Sequence, residues 1–291
     1  MNIPSFIFIV PYRDRIDQME FFKKQMKYVL EDIDPSHYQF YFIHQCDDRS
    51  FNRGAMKNIG FLAMKAKYPH HYQNITFVFN DVDTTPVLKN MFDYKTTPGI
   101  IKHFYGFRFA LGGIVSVVGK DFEKMNGYPN YWGWGYEDNL LQKRAFIAGL
   151  SIDRSHFLPV KDSRINQLHH GSLRNVNKRD FQLYAHADPE GIVDISHLNY
   201  TEEEMFIQVS SFSTGRDEIS NLTKVFDLTT GSIPFKSSRM GVPTLDMILG
   251  PQPIKQNTSH PNPITVPPFP LPLPLPFPLP LPFLKKRMVF K

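Results

Sequence analysis

Cysteine is almost absent from this chain, with one residue, Cys46, among 291. A single thiol excludes an intramolecular disulfide framework and any zinc site that needs several thiolates. The body of the chain also has no surplus of basic residues. Residues 251–291 carry five basic and no acidic side chains, which leaves 28 of each sign in residues 1–250. The sequence therefore predicts no nucleic-acid-binding face on the body, although the net charge of the whole chain is +5.

A long apolar run is missing at the N-terminus. The first apolar run spans only residues 6–10, it is followed by Pro11, and no basic residue precedes it. This run is too short for the core of a signal peptide or for a membrane span. We therefore expect a buried first strand, no transmembrane segment and a cytoplasmic protein, and the scarcity of cysteine agrees with a reducing compartment.

Apolar residues make up 42% of the chain, which is enough for a large buried core and excludes global disorder. In the first half, short apolar runs alternate with segments whose apolar residues recur every three or four positions. This alternation predicts an α/β fold with a central, mostly parallel sheet covered by helices. Residues 201–232 show no clear pattern, and no element is predicted there. The predicted strands are residues 6–10, 38–43 and 75–79, and the predicted helices are residues 16–30 and 55–67.

The end of the chain is rich in proline. Residues 251–291 hold 13 of the 24 prolines, and residues 266–284 contain no polar side chain. Nine of those nineteen residues are proline, which excludes a membrane helix and favours an extended polyproline rod. We predict a globular domain, residues 1–232, and an extended or disordered tail, residues 233–291. The tail, with its basic end, could contact a partner protein or a membrane surface, or have no partner at all.

Three short segments have the composition of a reactive site. Asp81 and Asp83 end a predicted strand, where carboxylates can hold a divalent cation that neutralises a diphosphate. Residues 131–138 place both tryptophans beside two acids, a combination suited to gripping a sugar ring and deprotonating its hydroxyl. His169 and His170 could complete the shell of a carboxylate-bound metal.

Each segment also has a purely structural interpretation. The Asp-X-Asp sequence can cap the element that follows it. Glu137 and Asp138 suit the N-terminus of a helix, where acidic side chains are stabilised by the helix dipole. The two histidines can be solvated loop residues. Taken one by one, the segments leave both interpretations open.

In their order along the chain, these segments resemble the β-1,4-galactosyltransferase family of inverting, metal-dependent glycosyltransferases. Residues 11–15, Pro-Tyr-Arg-Asp-Arg, are similar to the family's first-strand motif, Pro-Phe-Arg-Asn-Arg. The Tyr-Trp-Gly-Trp-Gly-Tyr-Glu-Asp segment matches the family's Trp-Gly-Trp-Gly-Gly-Glu-Asp block. Four further blocks match in the same order, namely residues 51–55 with 58–61, residues 77–83, residues 112–113 and residues 126–130.

The resemblance implies a GT-A fold, which is Rossmann-like, and a transfer of hexose from a UDP-sugar to a glycan acceptor. It implies that Asp138 is the general base, that Glu137 binds the donor or acceptor sugar, and that Mn²⁺ is bound by Asp83 with His169 or His170. Trp134, Asp138 and Asn139 would bind the acceptor. The donor-binding residues that the resemblance implies are Pro11, Tyr12, Arg13, Arg15, Phe51, Arg53, Asp81, Val82, Gly113 and Trp134.

The sequence departs from the family pattern at several positions. Tyr136 replaces a usual Gly, and Asn139 replaces an Asp, which weakens the expectation that N-acetylglucosamine is the acceptor. Ala110 falls where the family has an aromatic residue that restricts the donor to galactose, so N-acetylgalactosamine is a second candidate. Asn166 or Gln167, neither a strong metal ligand, precedes the histidines. The missing anchor and disulfides fit a soluble copy, such as one encoded by a virus or a bacterium.

Two other functions are compatible with the sequence. A non-catalytic module that binds UDP-sugar or carbohydrate would bind UDP without turnover. A scaffold that acts through the proline-rich tail would lose its biological activity when reduced to residues 1–250, while the tail alone would bind a partner.

Overall fold

The computed structural model describes residues 2–168, 173–186, 188–216, 218 and 223–227. The predicted tail, residues 233–291, lies outside the described residues, so its boundary with the globular domain stays a prediction. None of the described helices combines the length and the apolar character that crossing a bilayer requires.

Strands and helices alternate through the first half of the chain, as predicted. The helices are α1 (Ile16–Val29), α2 (Arg53–Lys67), α3 (Gly119–Lys124), α4 (Glu137–Ile147) and α5 (Lys178–Ala185), with 3-10 turns at Pro35–His37 and Ile192–Asp194. The strands are β1 (Phe6–Tyr12), β2 (Tyr38–Gln45), β3 (Thr76–Asn80), β4 (Thr84–Pro86), β5 (Ile100–Gly106), β6 (Ile114–Val118), β7 (Ser151–Asp153), β8 (Leu158–Pro159), β9 (Ile165–Gln167), β10 (Leu173–Asn177), β11 (Ser196–Glu203), β12 (Phe206–Ser213) and β13 (Thr223–Asp227).

Nine of the strands form one central sheet in the order β11-β12-β2-β1-β3-β6-β5-β7, with β8 paired to β5. The neighbours β12, β2, β1 and β3 are all parallel. Strand β6 is antiparallel to both β3 and β5, and β11 is antiparallel to β12. The prediction of a central, mostly parallel sheet is confirmed. Parallel order also brings the carboxyl ends of β1, β2 and β3 to one edge of the sheet.

Strand β1 is apolar at every position because both faces of the sheet are covered. Ile7 and Ile9 pack into the core beneath α2. Phe8 and Val10, which point to the opposite face, pack into a second core that includes Phe22 of α1. Alternate residues of a single strand therefore belong to two different cores.

Strand β12 and the end of β11 lie in residues 201–232, where the sequence shows no clear pattern. Only β12 has buried apolar residues, namely Ile207, Val209 and Phe212, and its pairing with β2 extends the sheet. Strand β11 is exposed at most positions, so it lacks the apolar alternation that marks a half-buried strand.

Phe8→Ala is expected to lower the free energy of unfolding by about 3–5 kcal/mol, because it opens a cavity in the second core. The Phe8 ring is fully buried and lies 4.5 Å from the Phe40 ring centroid and 4.9 Å from that of Tyr94. Denaturant unfolding measures the change. The matched control is Phe146→Ala on α4, where the ring is 60% exposed and a change within about 0.5 kcal/mol is expected. Equal effects of the two substitutions would contradict the described core.

Candidate active site

The polar segment after β2 meets the residues after β1 at the carboxyl edge of the sheet. The Arg13 guanidinium donates hydrogen bonds to the main-chain carbonyls of Arg49, at 2.6 Å, and Asp47, at 3.3 Å. It also lies 5.3 Å from the centroid of the Phe51 ring. An open cleft of about 410 Å³ borders this contact, and it is lined by Arg13, Asp14, His44, Gln45, Cys46, Asp47 and Asp48.

Arg53 joins three of the predicted site carboxylates into one cluster. It is the first residue of α2, directly after Asn52, whose side chain caps the helix by accepting from the Ala55 amide. The guanidinium donates to Asp81 at 2.7 Å, to Glu137 at 2.9 Å and to Asp138. The structure thus brings together one predicted donor-binding cation, one carboxylate after β3 and both predicted catalytic acids.

Lys57 belongs to the same cluster, although the sequence analysis did not select it. Its ammonium lies 3.4 Å from Asp138 Oδ1, 3.7 Å from Asp81 Oδ1 and 4.4 Å from the Tyr128 ring centroid. The residue is 1% exposed. A signal was present in the sequence, because Lys57 follows Arg53 by four residues and so shares its face of the helix.

The two neighbouring acids have pKa values shifted in opposite directions. Burial opposes ionisation of Asp138, but the Arg53 and Lys57 cations outweigh it and hold the pKa of Asp138 below its ordinary value of 3.8. Burial raises the pKa of Glu137 above its ordinary value, and the Arg53 charge offsets this only in part. Neighbouring acids with divergent pKa values are a pattern of acid–base sites, in which the ionised member, here Asp138, is suited to act as the base.

Two glycines before β6 allow the backbone to approach the cluster. A Cβ atom on Gly112 would overlap the Asp138 carboxylate, and one on Gly113 would overlap the Tyr105 carbonyl. Gly113 has a φ of +75°, which favours glycine, and its carbonyl accepts a hydrogen bond from the Asp81 amide at 3.1 Å. The Gly-Gly pair therefore lets this turn lie next to the Asp138 carboxylate and the Asp81 main chain.

The two tryptophans occupy different environments. Trp132 is buried and stacks on Phe212 with ring centroids 5.5 Å apart. Trp134 is 36% exposed, and its amide donates to the Asn175 carbonyl of β10 at 2.6 Å. The Trp134 side chain is thus partly exposed shortly before Glu137 and Asp138 begin α4, and the Arg174 guanidinium lies 5.8 Å from the centroid of its ring.

Tyr136 has a φ of +70°, the left-handed conformation that explains why glycine suits this position. A tyrosine there is held by its ring, which stacks on Tyr184 of α5 at a centroid distance of 4.6 Å. The substitution relative to the family pattern is thus accommodated by an aromatic contact.

Asp83 lies where β9 approaches β4. Its side chain accepts a hydrogen bond from Thr84 Oγ1 at 3.0 Å, and its carbonyl accepts from the Leu168 amide at 2.8 Å. The predicted ligands His169 and His170 follow Leu168 in the sequence but lie outside the described residues. Within the described ranges, no group of three or more His, Cys, Asp or Glu side chains is arranged around a common metal position.

The remaining predicted residues differ in accessibility. Pro11, Tyr12 and Val82 are buried, and Arg15 donates to the Asp14 carbonyl at 3.2 Å. The Asn139 amide donates to the Phe109 carbonyl at 3.2 Å. The loop between β5 and β6 carries two exposed aromatic residues, Phe107 and Phe109, which sequence reasoning did not identify. Their rings stack with centroids 5.1 Å apart.

Two family models match most of the region described above. The model for the N-terminal region of glycosyl transferase group 7 matches residues 3–94, and the model for the N-terminal domain of galactosyltransferase matches residues 101–171. The chain belongs to the β-1,4-galactosyltransferase family. The resemblance stated from the sequence motifs is therefore confirmed.

Curated members of the β-1,4-galactosyltransferase family are similar over part of their length. The xylosylprotein 4-β-galactosyltransferase of Caenorhabditis elegans is 32% identical over 183 residues, which are 60% of this chain and 60% of that protein. Human β-1,4-galactosyltransferase 1 is 28% identical over 204 residues, which are 66% of this chain and 49% of that protein. The chain therefore spans between about half and three fifths of the length of these two relatives.

A solved structure of the β-1,4-galactosyltransferase family shares the fold. The catalytic domain of Drosophila β1,4-galactosyltransferase 7, in complex with xylobiose, superposes with a TM-score of 0.60 at 20% identity, covering 72% of this chain and 94% of that domain. A mutant of the same enzyme, in complex with manganese, UDP-Gal and xylobiose, gives a TM-score of 0.58. The GT-A fold expected from the sequence is confirmed.

Arg53→Met is expected to lower the free energy of unfolding at pH 7 by about 3 kcal/mol, because it leaves buried carboxylates without their shared cation. The loss should be smaller at pH 3. The lowered pKa of Asp138 contributes stability that is present above its ordinary pKa of 3.8 and is lost as the pH falls through the lowered pKa, and the variant lacks this contribution. Denaturant unfolding at both pH values measures the difference.

The matched control is Arg164→Met. The Arg164 side chain is 60% exposed and pairs with Asp162 at 2.8 Å, so its loss should change the unfolding free energy by less than about 1 kcal/mol at either pH. An Arg53→Met variant as stable as the Arg164→Met control would contradict the role of Arg53 as the centre of the cluster.

Proposed function

We propose that this chain is a metal-dependent glycosyltransferase that moves a hexose from a UDP-sugar to a hydroxyl group of a glycan acceptor, with inversion at the anomeric carbon. The observation that carries the proposal is the cluster of Asp81, Glu137 and Asp138 around Arg53, beside the accessible Trp134 ring. It lies at the carboxyl edge of a parallel sheet, where α/β proteins bind their ligands.

The donor nucleotide would bind in the cleft that Arg13 lines, next to the Phe51 ring that Arg13 contacts. A guanidinium above an aromatic ring offers charge-assisted hydrogen bonds and a flat apolar surface, which suit a phosphate and a base. Asp81 and Gly113 would contact the sugar end of the UDP-sugar. Their backbones are hydrogen-bonded to each other and lie next to the carboxylate cluster. Galactose, N-acetylgalactosamine and glucose remain the three donor sugars to be tested.

Mn²⁺ would be held by Asp83 together with His169 or His170. One structural feature of this site suits a hard cation. Asp83 offers carboxylate oxygens at the point where the Leu168 amide contacts its carbonyl, so the chain directly before His169 approaches it. When bound, such an ion neutralises the negative charge of the departing diphosphate.

Asp138 would act as the general base. Its lowered pKa keeps the carboxylate ionised at neutral pH, ready to accept the proton of an acceptor hydroxyl within about 2.6–3.2 Å. The hydroxyl oxygen forms a bond to the anomeric carbon while the bond from that carbon to the UDP oxygen breaks. The proton passes to Asp138, and UDP leaves with the electron pair of the broken bond.

The acceptor sugar would lie between Trp134 and the loop of Phe107 and Phe109. Exposed aromatic rings offer flat apolar surfaces for a sugar ring, and the Asn139 amide beside them supplies neutral hydrogen-bonding groups. The Drosophila relative was solved with xylobiose, a glycan of two sugar units. We therefore propose a glycan acceptor for this chain as well.

Purified protein with Mn²⁺ is expected to release UDP slowly from one of three donors, UDP-galactose, UDP-N-acetylgalactosamine or UDP-glucose, with water as the acceptor. Chelation of the metal should abolish the release. Asp138→Asn should reduce it by about 10²–10⁴-fold, because the amide cannot take up the proton. A coupled assay for UDP measures all of these rates.

The matched control is Asp93→Asn, which alters a carboxylate that is 80% exposed and paired with Lys102 and should leave the rate unchanged. UDP release that persists in Asp138→Asn at the wild-type rate would contradict the assignment of the base. UDP binding without release from any donor, also when glycan acceptors are added, would favour the non-catalytic binding module instead.

A further inference from the structure

The proposed reaction gives no role to Lys57, yet the charge of this residue is buried in the cluster around Asp138. Lysine is almost never fully buried unless it is paired, and this ammonium is paired with two carboxylates, at 3.4 Å from Asp138 and 3.7 Å from Asp81. The Tyr128 ring closes the third side at 4.4 Å. Burying this cation costs desolvation free energy. Its two contacts indicate that it holds the Asp138 and Asp81 carboxylates in place.

The two cations of the cluster differ in their access to solvent. The Arg53 side chain retains 20% exposure, whereas that of Lys57 retains 1%. A guanidinium bonds to phosphate with the same geometry as to carboxylate, so an incoming nucleotide-sugar can take over hydrogen bonds that Arg53 now gives to the acids. Lys57 lies behind them on α2 and cannot be reached by the ligand without moving the carboxylates first.

The two cations also occupy different oxygens of Asp138. Arg53 contacts Oδ2, and Lys57 contacts Oδ1. When Arg53 turns to the donor, Oδ2 becomes free while Oδ1 stays bound. The contact with Lys57 therefore selects Oδ2 as the oxygen that receives the proton of the acceptor.

We propose that Lys57 is a positioning residue for the transfer reaction, the fixed counter-ion that holds Asp138 ionised and oriented while Arg53 exchanges its carboxylate partners for the donor. This inference rests on the proposed function. Charged and titratable groups face Asp138 from each of the elements packed around it, namely Arg53 and Lys57 on α2, Asp81 after β3, His103 on β5, Tyr128 in the loop before α4, and Glu137 on α4.

The test compares UDP release by the wild type, Lys57→Met and Lys57→Arg between pH 3.5 and 8. Lys57→Met keeps an unbranched chain in the buried space but removes the charge. The acidic limb of its kcat profile should move up by about one pH unit, because Asp138 takes up a proton more readily, so its kcat should fall by up to about tenfold relative to the wild type at the acidic end and change little at pH 7. The KM for the donor should change little, since Lys57 does not reach the ligand.

Lys57→Arg should keep the acidic limb of the wild type, because it restores the charge. Lys65→Met is the matched control on the same helix. Lys65 forms a partly exposed ion pair with Glu123, away from the cluster, so its removal should leave the profile unchanged. If Lys57→Met does not fold, Lys57→Gln takes its place. Its amide can still donate a hydrogen bond to Asp138 but carries no charge, and the same shift is expected.

An uncharged variant at position 57 that turns over with the acidic limb of the wild type would overturn this inference while leaving the proposed function intact. A wild-type protein that releases no UDP from any donor would overturn the proposed function, and the inference with it.

Discussion

The site depends on one interaction, the contact of two cations with three carboxylates at the carboxyl edge of the sheet. Arg53 and Lys57 supply the positive charges, and Asp81, Glu137 and Asp138 supply the negative ones. Three acids held so close together would otherwise take up protons or repel one another. With the cations present, Asp138 stays ionised and its position is set from two sides.

The fold brings these charges together from distant parts of the sequence. The parallel pairing of β1 with β2 and β3 places the ends of those strands at one edge. Helix α2 begins at that edge with Arg53, and α4 begins there with Glu137 and Asp138. The turn at Gly112 then comes close enough to Asp138 that no side chain fits between them.

Much of this arrangement could be predicted from the sequence, and the rest could not for physical reasons. The continuous apolar run of β1 and the motif around Trp134 are strong local signals, so the sheet and several site residues were predictable. Lys57 shares the helix face of Arg53, but it was not selected because a lysine on a helix is usually solvated and its burial is a property of the tertiary structure. Strand β11 was not predicted because an exposed edge strand has little apolar pattern, and β12 was not predicted because the alternation of its buried residues Ile207 and Val209 ends at the exposed Ser211.

The most direct test of the account is an NMR time course of the sugar released from the UDP-sugar that the protein accepts. The donor linkage is of the α configuration, and a single displacement assisted by Asp138 inverts it. The β anomer of the free sugar is expected to appear first and then to equilibrate with the α anomer. The α anomer as the first product would contradict direct displacement.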